Sequence, residues 1–276
     1  MLVTGGAGYI GSHVARILSQ AGTPVVVVDN LSTGLDSRVL GLPAANLELS
    51  EPTAVAALEQ LISEHKVTAV VHLAALKQVG QSVENPEEYF LKNLGGQANL
   101  LTAMKNTGVK KFVFSSSAAS YGVPDVDLVS EDQTPAPINP YGQTKLIGEW
   151  MAQNAQTAWG LSHVSLRYFN VAGAGWPDLA DTQKLNLIPI VFAALKANTK
   201  PKVFGTDYPT PDGSCVRDYV HVMDLAKAHI TALDYLNQDN RQFSVFNVGT
   251  GSGSSVLEVM EPVSYTHLRA HETVLD

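Results

Sequence analysis

Thr4-Gly5-Gly6-Ala7-Gly8-Tyr9-Ile10-Gly11 follows the short apolar start Met1-Leu2-Val3 and runs into a helical pattern carrying Ile10, Val14, Ile17 and Leu18. The order is strand, glycine turn, helix. Such a turn needs glycine where side chains would block the bend, or would keep a pyrophosphate from the backbone N–H groups at the helix N-terminus. A second apolar run, Val25-Val26-Val27-Val28, ends in Asp29, at the distance where dinucleotide folds place an acid that accepts hydrogen bonds from ribose hydroxyls. A carboxylate there repels a 2′-phosphate, and Asn30-Leu31-Ser32 supplies no arginine to receive one. The pattern therefore favours NAD over NADP.

Working outward, residues 53–65 read as a helix and 67–73 as the next strand. Pro86 opens a long helix to about Met104, since proline suits a first helical turn, and Gly108 ends it. Residues 111–116 read as a strand, 141 to about 158 as a helix and 163–168 as a strand. This alternation predicts an α/β fold, a Rossmann-type doubly wound parallel sheet covered by helices on both faces. Residues 172–211 are rich in Gly, Pro, Asn and Asp and break the rhythm, so loops and short elements outside the sheet are expected there. Asp224 is expected to cap a helix through Leu236, and 243–248 to return as a strand. Gly249-Thr250-Gly251-Ser252-Gly253 reads as a strand-to-helix turn rather than a phosphate loop. The expected division is a dinucleotide-binding domain over 1–173, its sheet re-entered near 216–248, and a smaller substrate-binding region over 174–276.

The 276 residues are 45% hydrophobic and 16% charged, with a formal net charge of -8. That balance argues against a general nucleic-acid surface. No apolar stretch approaches the roughly 20 residues that span a bilayer. The single cysteine, Cys215, forbids an internal disulfide, and the N-terminus carries no cleavable signal pattern, so a cytoplasmic location is expected. His13, His72 and His221 lack metal-ligand spacing and read as structural, so no metal is expected. Cys215 has no base nearby in sequence and reads as inert.

Tyr141 and Lys145 are spaced four apart, which places them on one helix face. An ammonium beside a phenol favours the phenolate and lowers its pKa from about 10. Such a pair can move protons. Of the run Ser115-Ser116-Ser117, the first two read as backbone-bonding, and Ser117 as a hydroxyl placed near the pair.

With the glycine turn, the serine run, Tyr141-Gly142-Gln143-Thr144-Lys145 and Arg167-Tyr168-Phe169-Asn170 in this order, the chain resembles the extended short-chain dehydrogenases. Within them it is similar to the UDP-glucose 4-epimerase branch. His72-Leu73-Ala74-Ala75-Leu76-Lys77, the stretch 115–122, the stretch 204–213 from Phe204, and the stretch 216–225 carry that likeness, which covers about residues 1–260. The resemblance implies a tightly bound NAD and reversible interconversion of UDP-glucose and UDP-galactose. Tyr141 would take the C4 hydroxyl proton while the hydride on that carbon passes to NAD. The 4-keto sugar would then turn over and recover both from its other face.

By the same resemblance Ser117 aligns the C4 oxygen, and Lys145 holds the nicotinamide ribose. NAD contacts are implied at Gly5, Gly8, Tyr9, Ile10, Gly11, Asp29 and Asn30. Further ones are implied at Leu73, Ala74, Lys77, Asn93, Tyr141, Lys145 and Phe169. Glu51, where the family has Gly-Asp, would accept from the adenine amine. Substrate contacts are implied at Ser117, Tyr141, Asn170, Asn186, Leu187, Phe204 and Arg217, whose fork suits a diphosphate. A homodimer through paired helices is implied as well.

The larger departure from the family is at the end. The tail from about 261 to 276 does not align with the family, which there supplies groups that close over the UDP-sugar. It reads as an abrupt substitution that leaves the substrate region incomplete, and it motivates a rival in which the chain is an NAD-binding scaffold without turnover. A dehydratase or decarboxylase is the other rival. Dehydratases of this superfamily carry an Asp-Glu pair after the serine region, whereas Ala118-Ala119-Ser120 stands here.

Overall fold

Strands apolar on both sides need cover on both faces, and the chain supplies it in sequence order. The computed structural model describes residues 1–183, 185–203, 205, 207–238 and 244–261. Six strands lie in the first part of the chain: β1 (Leu2–Thr4), β2 (Val26–Asp29), β3 (Ala44–Asn46), β4 (Val70–His72), β5 (Lys111–Ser115) and β6 (Ser162–Tyr168). β7 (Asn170–Ala172) and β8 (Val216–His221) follow, then β9 (Val245–Val248) and β10 (Gly253–Ser255). The main sheet has the order β3-β2-β1-β4-β5-β6-β9, and every pairing in it is parallel. A second sheet has the order β10-β8-β7.

Alternate residues of each main-sheet strand feed opposite cores. Leu2, Val26, Val28, Val70, Phe112 and Phe114 pack on one face, with Leu58, Ile62, Leu100 and Met104. These belong to α2 (Ala54–Glu64) and α5 (Gly96–Thr107). Val3, Val27, Val71, Val113 and Val164 face the other way. Val14 and Leu18 of α1 (Tyr9–Gln20) and Ala226 and Leu233 of α8 (Val222–Tyr235) cover them. Fully burying a side chain such as Phe112 or Leu100 contributes about 1.5–3 kcal/mol, so this double cover is what fixes the order of layers.

α3 (Val79–Glu84), α4 (Pro86–Tyr89), α6 (Pro140–Trp159) and α7 (Leu187–Lys196) complete the helices used below. The long helix expected from Pro86 is helical throughout, but it contains a π turn at Phe90–Gly95 and runs on to Thr107. Gly108 closes it with φ 77°, a left-handed C-cap that glycine adopts without steric cost. No helix among the described residues is long and apolar enough to cross a membrane.

Four expectations need correction. β3 was not foreseen: it has three residues, two of them exposed, at the sheet edge, so no burial pattern marks it. Among the described residues of the range 216–248 only β9 re-enters the main sheet, because β8 pairs with β7 and β10 instead. His221, not Asp224, caps α8, its Nδ1 accepting from the Met223 N–H at 3.2 Å. Asp224 lies in the first turn, where a carboxylate favours the helix dipole. The turn at 249–253, expected to lead from a strand into a helix, instead joins β9 to the strand β10, and Asp218 holds it by accepting from the N–H groups of Thr250 and Gly251. The part of the 243–248 expectation at residue 243 lies outside the described residues.

Candidate functional site

The strand order reverses between β1 and β4, and in open α/β sheets the crevice at such a point, past the carboxyl ends of the strands, is where ligands bind. The glycine turn follows β1, and Leu73-Ala74 follows β4, so the two flank this crevice. Gly5 has φ +69°, and a Cβ on it would lie 2.6 Å from the Ala74 nitrogen. A Cβ on Gly11 would lie 2.2 Å from the Gly5 carbonyl oxygen. Both glycines are therefore required by close backbone approach. Gly5→Ala is expected to cost about 1–3 kcal/mol from backbone strain alone, read as a lower urea midpoint, and an unchanged midpoint would refute this account of the turn.

Gly8 caps α1 without a side-chain hydrogen bond, and no acid occupies the first turn. The N–H groups of Tyr9, Ile10 and Gly11 thus begin a helix whose positive end has no side-chain anion on it, which fits a diphosphate. Asp29 ends β2, and its carboxylate accepts from Ala7 N and Leu31 N, both at 2.9 Å. Each oxygen keeps a further lone pair for ribose hydroxyls.

Glu51, expected to accept from the adenine amine, and its neighbour Glu48 stand in different surroundings. Glu51 is exposed, whereas Glu48 is the hub. Its Oε2 accepts from Asn30 Nδ2 at 2.9 Å and pairs with Lys92 Nζ at 3.1 Å, and its Oε1 accepts from Ser50. Burial works against the Glu48 carboxylate, but these hydrogen bonds outweigh it and bring its pKa down to about 2. Asn30 is thereby engaged with Glu48 and Ser32.

Asn93, expected beside the cofactor, spends its amide on the protein. Its Oδ1 accepts from Leu76 N at 2.8 Å, and its Nδ2 donates to Leu76 O and Thr144 Oγ1, both at 3.1 Å. It straps the loop bearing Leu73, Ala74 and the exposed Lys77 onto α6. The π turn is what carries Asn93 inward, since a π turn shifts the register of a helix face.

On α6, Tyr141, Lys145 and Glu149 recur every four residues and form one buried stripe. The Ser117 hydroxyl stands close enough to Tyr141 to pull its pKa down, and it accepts from Ala119 N at 3.1 Å. Lys145 Nζ donates to the Ser115 carbonyl at 2.8 Å and stands 5.8 Å from the Tyr141 ring centroid. The expectation that Lys145 lowers the Tyr141 pKa does not hold in the chain by itself. Burial pushes the phenol up, and only Ser117 pulls it down. Lys145 is itself lowered to about 8, by burial first, with Glu149 opposing.

Glu149 and Arg167 were not assigned from sequence. Arg167 donates to both Glu149 oxygens, at 2.8 and 2.6 Å, in a buried fork. Ser116 donates to the same carboxylate, and Ser115 pairs with His229 Nε2 at 2.7 Å, so neither hydroxyl is backbone-bonded as expected. The four-residue spacing continued from Lys145 was the available signal for Glu149. Phe169 directly follows β6 and abuts Gly249, where an added Cβ would meet its ring at 2.9 Å.

A separate pocket is lined by Asn170, Asn186, Leu187 and Arg217, four of the implied substrate contacts, together with Cys215 and Tyr219. Residues 215, 217 and 219 alternate along a strand and so share one face. Cys215 lines this pocket. Phe204 and residues 262–276, with the expected break in the tail, lie outside the described residues. Among the described residues no cluster of three or more His, Cys, Asp or Glu could hold a metal ion.

Comparison with known proteins agrees with this layout. The model of the NAD dependent epimerase/dehydratase family matches residues 1–249. The chain is 44% identical over 264 residues to UDP-glucose 4-epimerase of Corynebacterium glutamicum, covering 95% of this chain and 78% of that protein. It is similar to the crystal structure of UDP-glucose 4-epimerase from Brucella ovis in complex with NAD, with TM-score 0.89 and 41% identity over 96% of this chain and 81% of that one. The Bifidobacterium longum enzyme in complex with NAD+ and UDP gives TM-score 0.88 and 36% identity, over 96% of this chain and 82% of that one.

Proposed function

The chain belongs to the NAD dependent epimerase/dehydratase family, and from that premise we propose that it interconverts UDP-glucose and UDP-galactose by transient oxidation at sugar C4. The carrying observation is the cluster of Tyr141, Ser117 and Lys145 past the end of β5, on the same side of the sheet as the glycine turn. The chemistry NAD supplies when bound is reversible hydride acceptance.

Everything else falls to the chain's own residues. Tyr141 takes the proton of the C4 hydroxyl and later returns it to the same oxygen. Ser117 hydrogen-bonds that oxygen and fixes its distance from the phenol. Lys145, tethered to the Ser115 carbonyl, places its charge beside the Tyr141 ring and within reach of a ribose. The glycine turn, Asp29 and the loop from Leu73 to Lys77 hold the dinucleotide. Asn170, Asn186, Leu187 and Arg217 hold the nucleotide of the sugar, and Arg217 meets its diphosphate. Ala118 and Ala119, where elimination needs acids, favour epimerisation over dehydration.

The purified chain, incubated with UDP-galactose and no added cofactor, is expected to yield UDP-glucose without net NADH. Net NADH release would indicate an ordinary dehydrogenase instead. Retained NAD with no sugar conversion would indicate a binding scaffold.

A further inference from the structure

The segment that leads into the nucleotide pocket is fastened to the cofactor-binding half at four points. Tyr9 donates its hydroxyl to the Gly173 carbonyl at 2.5 Å, and Gly175 N donates to His13 Nε2 at 3.0 Å. Arg16 forks onto Asp178 at 3.0 and 2.5 Å, but this pair is exposed and contributes little. The fourth fastening is different in kind. Arg38 follows β2 in a single 3-10 turn, Asp36–Val39, and only 3% of it is exposed. Its Nη2 donates to the Ala180 carbonyl at 2.6 Å and to Thr182 Oγ1 at 3.3 Å.

Between those two anchor points stands Asp181. Its Oδ1 accepts from Gln183 N at 3.0 Å and its Oδ2 from Asn186 Nδ2 at 2.8 Å. Asn186 is at once a wall of the nucleotide pocket and the residue from which α7 starts. A guanidinium that fixes residues 180 and 182 therefore fixes the carboxylate that aims Asn186.

We propose that Arg38 is a positioning residue for the nucleotide-sugar pocket, setting the Asn186 wall through the Ala180-Asp181-Thr182 segment from the cofactor-binding half. The proposal rests on the UDP-sugar reading above. Burial disfavours the guanidinium's charge, and Asp181 and Asp29 favour it. A displaced pocket wall loses affinity without touching the reacting atoms.

UDP titrated by calorimetry into the NAD-loaded protein tests this, with Arg38→Ala, Arg38→Lys, Asn186→Ala and the Arg38→Ala/Asn186→Ala double variant. Arg38→Ala is expected to weaken UDP binding and raise KM for UDP-galactose about tenfold, with kcat and NAD affinity moving no more than about threefold. Lysine retains a donor and the charge, and should recover part of the loss. In the Asn186→Ala background the further effect of Arg38→Ala should nearly vanish, because both act on one wall. UDP binding equal to wild type in Arg38→Ala would overturn the proposal, as would additive losses in the double variant. Parallel losses of UDP and NAD would reduce Arg38 to general support and overturn it too. A wild-type protein that binds no UDP would instead sink the functional reading itself.

Discussion

Tyr141→Phe is expected to lower kcat for sugar epimerisation by about 10²–10⁴-fold, the usual worth of a positioned proton-transfer group, while the fold and the NAD content stay as in wild type. Phenylalanine keeps the ring volume in a site where Tyr141 is 8% exposed, so packing is preserved. What is lost is one hydroxyl, the one beside Ser117. Three neighbours among the described residues are engaged elsewhere. Lys145 Nζ is held by the Ser115 carbonyl, Glu149 is spent on Arg167 and Ser116, and His229 Nε2 accepts from Ser115 on the far side of the strand residue. The measurement is steady-state conversion of UDP-galactose, alongside the absorbance of retained NAD and a thermal melt. Conversion at near wild-type rate by a well-folded Tyr141→Phe protein would remove Tyr141 as the base.

The same residues mark how far sequence could reach. The glycine turn and Asp29 were legible because backbone clearance and strand-end position impose them locally: Gly5 and Gly11 are squeezed by atoms that the turn itself brings close. Tyr141 and Lys145 were legible because a helix repeats. The sign of the Tyr141 shift was not, since spacing announces a neighbouring ammonium but says nothing of the burial that outweighs it. Likewise, within Glu48-Leu49-Ser50-Glu51 no local rule says which acid turns inward. Lys92 and Asn30, arriving from other elements, decide for Glu48. Arg38 is the extreme case, since its carbonyl partner lies 142 residues away and no periodicity could connect them.

Long-range closure of this kind also explains the divided architecture. β7 and β8 pair with each other outside the main sheet, and β6 runs into β7 after one residue, Phe169. The proposed chemistry sits at that junction. Strand β5 ends at the serines, α6 brings the base stripe over them, and β8 offers Arg217 and Tyr219 from the other sheet. Residues that are distant in sequence thus meet because the chain leaves the main sheet and returns to it in β9.

Acid is expected to destabilise this chain well before its carboxylates protonate. His72 is wholly buried, hydrogen-bonded with Thr4 Oγ1 at 2.6 Å and stacked on Phe112 and Phe114. His229 is equally buried, with Nδ1 donating to the Leu225 carbonyl at 2.9 Å and Nε2 accepting from Ser115. That arrangement requires a neutral ring. Burial brings His72 to about 3, with Lys145 adding to the shift, and His229 to about 4; His13 is lowered too, again by burial first. Between the unfolded value near 6.5 and these folded values, the unfolded chain binds protons that the native chain does not. Stability is therefore fully present above about pH 6.5 and falls as pH drops below it. Between pH 7 and pH 5 each of the two fully buried rings should remove about 2 kcal/mol, a large share of the 5–15 kcal/mol typical of a folded domain. Glu48, held near 2 and referenced to 4.5, adds its own loss only below that reference, so the window from 7 to 5 reports the histidines together with the Met1 ammonium, which burial also lowers. Urea unfolding at pH 7, 6 and 5 measures the slope, and His229→Gln, which cannot titrate, should roughly halve it. A wild-type stability that stays flat from pH 7 to pH 5 would mean that these rings are not held neutral in the native state.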